Sequence, residues 1–104
     1  MSKKKELTKL VNLMCVALRH KIGSIVNENE FYANKYAKDS EILMKEAEKV
    51  LIKHEWNKED KIEIKKKLSE ELKKELEKRT FINNKKFEII DEEIKKALEE
   101  FELS

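Results

Sequence analysis

The chain has 104 residues, of which 44% are charged and 39% hydrophobic, and it carries a formal net charge of +2. It has one glycine, one cysteine and no proline. So few breakers exclude sheets joined by tight turns and glycine-rich nucleotide-binding loops, and one cysteine excludes a disulfide scaffold. Abundant Lys, Glu and Leu instead predict long helices, and we expect residues 1–104 to form a single all-α domain.

The first predicted helix spans residues 6–26, and its apolar side chains cover well over half of its circumference. A helix that packs on one side needs an apolar stripe of only about 100°. We therefore expect this helix to be the central helix of a bundle or to be shared with a second chain. A homodimer that shares it is the favoured interpretation, in which Leu7, Leu10 and Met14 contact the partner.

A second helix is predicted over residues 30–54, after a turn at residues 27–30 in which asparagines can end one helix and begin the next. One unbroken helix through residue 54 is the alternative. Phe31, Ile42 and Ile52 lie off the apolar face of this helix. Because nothing within the chain requires apolar residues at those positions, they indicate a second surface for a protein partner.

Asn57 is predicted to cap a third helix over residues 58–79, which packs through one thin apolar line. Residues 86–90 are either an extended piece or a first helical turn, and Asp91 is predicted to cap a last helix over residues 91–102. The sequence thus predicts an antiparallel helical bundle of three long helices plus a short C-terminal helix.

The polar residues give no pattern that is typical of catalysis. Neither His20 nor His54 has a second ligand at helical spacing, so no metal site is expected. Cys15 lies on the apolar arc of the first helix, where a buried thiol is inert. We therefore expect no enzymatic activity, no cofactor and no bound metal.

The segment from Ala17 to Gly23, with Arg19 and His20 at its centre, resembles the histidine box of sensor histidine kinases. In that family a solvent-facing histidine on the dimerisation helix accepts a phosphoryl group. The resemblance implies His20 as the phosphoacceptor. Lys21 stands where the family usually has an acidic residue, and the family's proline is missing. Histidine phosphotransfer is therefore a further alternative function.

The lysine-rich first helix makes a nucleic-acid-associated accessory protein the main alternative. Its phosphate contacts would come from the cationic side chains of this segment: Lys3, Lys4, Lys5, Lys9, Arg19 and Lys21. Only Arg19 and Arg79 are arginine, the side chain best suited to base recognition. Nucleic acid is thus possible as a partner but not favoured.

The longest apolar run, Leu13–Leu18, is far shorter than the ~20 residues needed to cross a bilayer. Without a visible signal sequence or lipidation motif, we expect a cytoplasmic protein with no membrane partner. The leading hypothesis is a small non-enzymatic interaction module that binds another protein, or itself, through helix faces. Such a module would serve as a subunit, adaptor or regulator of a larger assembly.

Overall fold

The computed structural model describes residues 3–26, 30–78 and 85–103. These residues form four helices and no strand: α1 (Lys3–Val26), α2 (Glu30–Leu51), α3 (Lys58–Lys78) and α4 (Lys86–Glu100). The bundle measures 40 × 22 × 21 Å. The predicted fold class, a helical bundle of three long helices and one shorter C-terminal helix, is confirmed.

The first two helices form an antiparallel pair. The Tyr36 ring lies against Gly23, and the Ser40 hydroxyl donates a hydrogen bond of 2.7 Å to the carbonyl oxygen of Ala17. Later residues of α2 therefore contact earlier residues of α1, as expected for antiparallel helices. These contacts are incompatible with one unbroken helix through residue 54. Of the turn predicted at residues 27–30, residues 27–29 lie outside the described part of the chain, and Glu30 is the first residue of α2.

The other two helices complete the bundle around α1. Lys3 pairs with Asp60 and Arg19 pairs with Glu75, so α3 runs in the same direction as α1. α4 then runs back along α3, and it also packs on α1. Within the described residues, α2 packs on α1 alone, whereas α1 also packs on α3 and α4. This arrangement makes α1 the central helix.

α1 is covered by its own chain, so the structure fits the central-helix alternative and does not require the favoured second chain. Leu7 is only 2% exposed, and Leu10 and Met14 are 0% exposed, because all three lie in the common core of this one chain. The apolar arc of α1 is wide because three helices of the same chain surround it. Leu7, Leu10 and Met14 therefore offer no surface to a partner. The wide apolar arc of α1 is thus no longer evidence for a homodimer that shares this helix.

The junction between α2 and α3 is closed by side chains. α2 ends at Leu51 rather than at residue 54, and the Trp56 indole N–H donates a hydrogen bond of 2.8 Å to the Leu51 carbonyl oxygen. Asn57 caps α3 as predicted, because its Oδ1 accepts the Asp60 N–H at 2.8 Å. Asp60 Oδ2 in turn accepts the Asn57 N–H at 3.1 Å. This reciprocal pair is a variant of the capping box, which fixes the start of a helix.

Of the two alternatives for residues 86–90, the helical turn is correct, and the predicted cap at Asp91 is wrong. α4 begins at Lys86, so residues 86–90 are helical and Asp91 lies inside the helix rather than at its N-cap. The cap position is Lys85, whose side chain makes no capping hydrogen bond. Ile90 continues the apolar face of Ile94 one turn upstream and is only 7% exposed. Burial of this extra turn therefore outweighs the preference of aspartate for a cap.

Candidate partner-binding surfaces

The side of α2 that faces away from α1 carries lysines and large apolar side chains in one row. Alternating steps of four and three residues keep the row on one side of the helix. This row, the α2 outer stripe, consists of Phe31, Lys35, Lys38, Ile42, Lys45, Lys49 and Ile52. All of its members are exposed, and the row extends for about 30 Å at 1.5 Å per residue.

The three apolar members of the stripe are the residues that the sequence singled out as a second contact surface. Phe31 is 73% exposed, Ile42 is 53% exposed and Ile52 is 77% exposed. α2 packs on α1 through its opposite side, where Ala47 and Val50 are buried. The apolar members of the stripe are therefore accessible to a partner without any rearrangement of the bundle.

The lysines make the stripe positively charged. Lys49 Nζ lies 3.1 Å from Glu46 Oε1, in an exposed ion pair of the kind that contributes little in water. Lys35, Lys38 and Lys45 form no ion pair with a carboxylate of residues 3–26, 30–78 or 85–103. A surface of this kind is electrostatically complementary to an acidic partner.

The first predicted phosphate contact, Lys3, is engaged within the chain. Its Nζ lies 2.7 Å from Asp60 Oδ2 and 5.7 Å from the centroid of the Trp56 ring. The hydrogen bond from Lys3, together with the one from the Asn57 backbone, holds the pKa of Asp60 below its usual value. Lys3 thus fastens the start of α1 to the start of α3.

Two further cations of α1 are engaged in the same way. Arg19 Nη1 lies 3.4 Å from Glu75 Oε2, and Lys21 Nζ lies 2.9 Å from Glu93 Oε2, a carboxylate whose residue is buried. Half of the predicted phosphate contacts therefore hold α1 to α3 and α4. The remaining ones are exposed: Lys4, Lys5 and Lys9.

His20 is half-buried at the boundary between α1 and α2. Its ring stacks on Tyr36, with the centroids 5.7 Å apart and 22° between the planes. Tyr36 stacks in turn on Tyr32, with centroids 6.5 Å apart. Arg19 Nη2 lies 3.5 Å from His20 Nε2, so a guanidinium stands against one of the two nitrogens that could accept a phosphoryl group. His20 is thus part of a row of rings that joins the first two helices.

Cys15 is buried, as the sequence predicts, with 4% of its surface exposed. Burial raises the pKa of its thiol to about 11, and the nearby charges of Glu75 and Glu71 act in the same direction, against the opposing effect of Arg19. The thiol therefore stays protonated near neutral pH. Because the thiolate is the nucleophilic form, Cys15 is poorly suited to covalent chemistry.

A groove of about 690 Å³ runs between α3 and α4. This α3–α4 groove has an apolar floor, in which Ile94, Leu98 and Leu103 are buried. Leu103 reaches the floor because Glu102 adopts a φ of 56°, which lets the Leu103 N–H donate a hydrogen bond of 2.7 Å to the Leu98 carbonyl oxygen. Ile62 stands at the edge of the groove and is 61% exposed.

Lysines surround this apolar floor. The lining comprises Lys58, Lys61 and Lys65 of α3 and Lys95 of α4, with Ser69 and Asp91. The four lysines form no ion pair with any carboxylate in the described part of the chain. Sequence reasoning missed this site, because the α3 lysines resemble an ordinary solvated face. The available signal was their helical spacing beside the apolar line of α3.

A smaller groove of about 470 Å³ lies between α2 and α4, with Leu18 of α1 in its lining. Ile25, at its edge, is 52% exposed. Its charged lining mixes both signs, as Lys45 and Glu48 illustrate. This groove therefore favours neither an acidic nor a basic ligand.

No protein-family model, curated protein or solved structure matches this chain. Residues 3–26, 30–78 and 85–103 include no helix that is long and apolar enough to cross a membrane. The same ranges contain no group of three His, Cys, Asp or Glu side chains that could hold a metal ion. The exposed surfaces of the bundle are therefore the features from which a function can be inferred.

Proposed function

We propose that the protein is a small, non-enzymatic helical interaction module that binds another protein through the α2 outer stripe. The observation that carries this proposal is the exposure of Phe31, Ile42 and Ile52 along one side of α2. Burying a large apolar side chain contributes roughly 1.5–3 kcal/mol, so covering all three side chains would contribute substantially to the free energy of binding. The module would act as a subunit, adaptor or regulator of a larger assembly.

The charge of the stripe selects the kind of partner. Lys35, Lys38 and Lys45 leave positive charge beside the apolar side chains, which accelerates association with an acidic surface and disfavours a basic one. A second copy of the chain is the other candidate partner, and a homodimer would then join the two α2 outer stripes rather than share α1. Two positive stripes repel each other, so an acidic protein of a different sequence fits better.

The cytoplasm is the proposed location. Free thiols persist in reducing compartments, and Cys15 is a free, buried cysteine. Fractionation of cells that express the tagged chain tests this location. We expect the chain in the cytoplasmic fraction, and its recovery in another fraction would contradict the proposal.

Photo-crosslinking tests the proposed surface. With a crosslinking residue at position 42 of the full chain, in the cells that produce it, we expect a discrete adduct with a protein that presents an acidic surface. Adding Phe31→Ser and Ile52→Ser should remove the adduct without unfolding the chain, because both residues are exposed. The matched control places the crosslinker at Phe87 of α4, which is 42% exposed. No adduct from position 42, or the same adducts from both positions, would contradict the proposal.

Sedimentation velocity separates the two kinds of partner. A purified chain that is monomeric at micromolar concentration, together with a crosslinked adduct of another protein, supports a module for a different partner. A dimer that Ile42→Glu dissociates would instead identify the second copy as the occupant of the α2 outer stripe.

The two alternative functions have weaker support. For nucleic acid, Lys3, Arg19 and Lys21 are already held by carboxylates of the same chain. For phosphotransfer, His20 is stacked on Tyr36 and stands against Arg19. Salt-dependent binding to mixed DNA and RNA, or an acid-labile phosphate on His20 after incubation with a kinase, would restore the respective alternative.

A further inference from the structure

We infer that the α3–α4 groove is a second docking site, and that it accepts an acidic amphipathic helix of a protein partner. This inference goes beyond the function proposed above, because it concerns different helices. The groove is lined by α3, α4 and Leu103, whereas α2 packs on α1 alone within the described residues. A partner on the α2 outer stripe and a helix in the groove can therefore be bound at the same time.

The shape of the groove favours an elongated ligand. Its α3 lining recurs at helical spacing from Lys58 to Ser69, a distance of about 16 Å along the helix axis. The α4 lining runs alongside from Asp91 to Leu98, and the buried side chains between the two helices form an apolar floor. A trough of this kind suits a third helix whose apolar side chains recur every three or four residues.

The distribution of charge decides between a helix and a smaller amphiphile. Lys58, Lys61 and Lys65 occupy about 10 Å of one edge, and Lys95 stands on the other helix. A fatty acid carries one negative group and would meet the lysines at one end only. A helix with glutamates or aspartates on both sides of an apolar seam meets lysines along the whole groove.

The apolar floor decides against nucleic acid in this groove. A phosphate backbone could pair with the lysines, but it has no apolar seam to cover Ile62, which is exposed at the edge of the groove. The carboxylate of Asp91 in the lining would also repel phosphates, although the lysines outnumber it. An acidic amphipathic helix can pair its carboxylates with the lysines and pack its apolar side chains along the groove.

Fluorescence anisotropy of a labelled synthetic helix tests this inference on the full chain. The probe carries leucines at alternating steps of three and four residues, flanked on both sides by glutamates. We expect saturable binding that weakens as the salt concentration rises. Lys61→Glu combined with Lys65→Glu should raise Kd at least tenfold. Ile62→Ser should also raise Kd, since the side chain stands at the edge of the groove and is exposed.

The matched control reverses two exposed lysines that belong to neither proposed surface. Lys4→Glu with Lys9→Glu makes the same change in net charge on α1 and should leave Kd within twofold. Thermal unfolding by circular dichroism verifies that both double variants remain folded. An equal loss of binding in the two double variants would mean general attraction to a basic surface and would overturn the inference. Absence of saturable binding to the unmodified chain would overturn it as well.

Two further outcomes would reassign the groove and overturn the acidic-helix assignment. If laurate displaces the probe as effectively as the unlabelled helix does, the site takes a single-headed amphiphile. If the chain alone forms a dimer that Lys61→Glu with Lys65→Glu dissociates, the occupant is a second copy.

Discussion

At the scale of single residues, the closest packing between α1 and α2 lies at Gly23. A Cβ added to this glycine would stand 3.3 Å from Cδ2 of the Tyr36 ring, which has to move by a few tenths of an ångström to make room. Alanine gains about 1 kcal/mol of helix propensity over glycine, so we expect Gly23→Ala to be close to neutral. Gly23→Leu overpacks the contact and should lower the free energy of unfolding by about 1–3 kcal/mol. Urea unfolding followed by circular dichroism measures both changes, and a Gly23→Leu variant as stable as the original chain would contradict this packing.

The Cys15 thiol makes stability depend on pH in the alkaline range. Its pKa is about 11 in the folded chain, against an ordinary value of 9.0 for a cysteine that is not buried. As the pH rises from about 9 to 11, the unfolded state loses its proton first, so the thiol's contribution is present below this range and is lost across it. We expect the free energy of unfolding to fall more steeply between pH 8 and pH 10.5 in the original chain than in Cys15→Ala. Identical slopes in the two proteins would contradict this prediction.

Slow labelling of the folded protein by a thiol reagent at pH 8, relative to the chain in urea, is an independent check of the buried Cys15 thiol.

At the scale of elements, α3 depends on a single line of apolar residues. The line consists of Ile64, Leu68, Leu72 and Leu76, each 0% exposed. We expect Leu72→Ala to lower the free energy of unfolding by about 2–5 kcal/mol, because it leaves a cavity in the core. The matched control is Ile62→Ala in the same helix, which should change that free energy by less than about 0.5 kcal/mol because Ile62 is 61% exposed. Chemical denaturation of the two variants measures the difference, and equal losses would show that the line is not the main contact of α3.

The elements also show what the sequence could predict and what it could not. The spacing of residues 64 to 76 predicted the contact side of α3, and Asn57 predicted where α3 begins. The cap preference of Asp91 predicts a start that is too late, because the apolar period that Ile90 shares with Ile94 continues the helix upstream. The α3–α4 groove could not be predicted from either helix alone. A groove arises from the distance and direction between two helices, which local spacing does not determine.

At the scale of the whole molecule, the same limit applies to α1. Its wide apolar arc correctly indicated a helix with neighbours on several sides, but one chain or two chains satisfy that requirement equally well. The choice depends on how many helices of the chain reach α1, and in the described residues α2, α3 and α4 all pack against it. Phe31, Ile42 and Ile52 are easier to place, since α2 packs on a single neighbour among the described helices and its outer side follows directly from helical spacing.

The arrangement of the helices also predicts unequal stability within the bundle. Within the described residues, α2 packs on α1 alone and buries fully only Ser40, Ala47 and Val50, whereas α1 is enclosed by three helices. Detaching α2 exposes less apolar surface than opening α1, so local opening of α2 should require less free energy than global unfolding. We expect native-state hydrogen exchange to give α2 amides lower opening free energies than α1 amides. Leu72→Ala should lower protection in α1 and α3 by more than in α2.

The same opening free energy in all four helices, equal to that of global unfolding, would mean that the bundle opens as one unit. If α2 does open separately, a partner bound to its outer stripe should slow exchange in α2 most, because binding stabilises the closed state of the helix that it contacts.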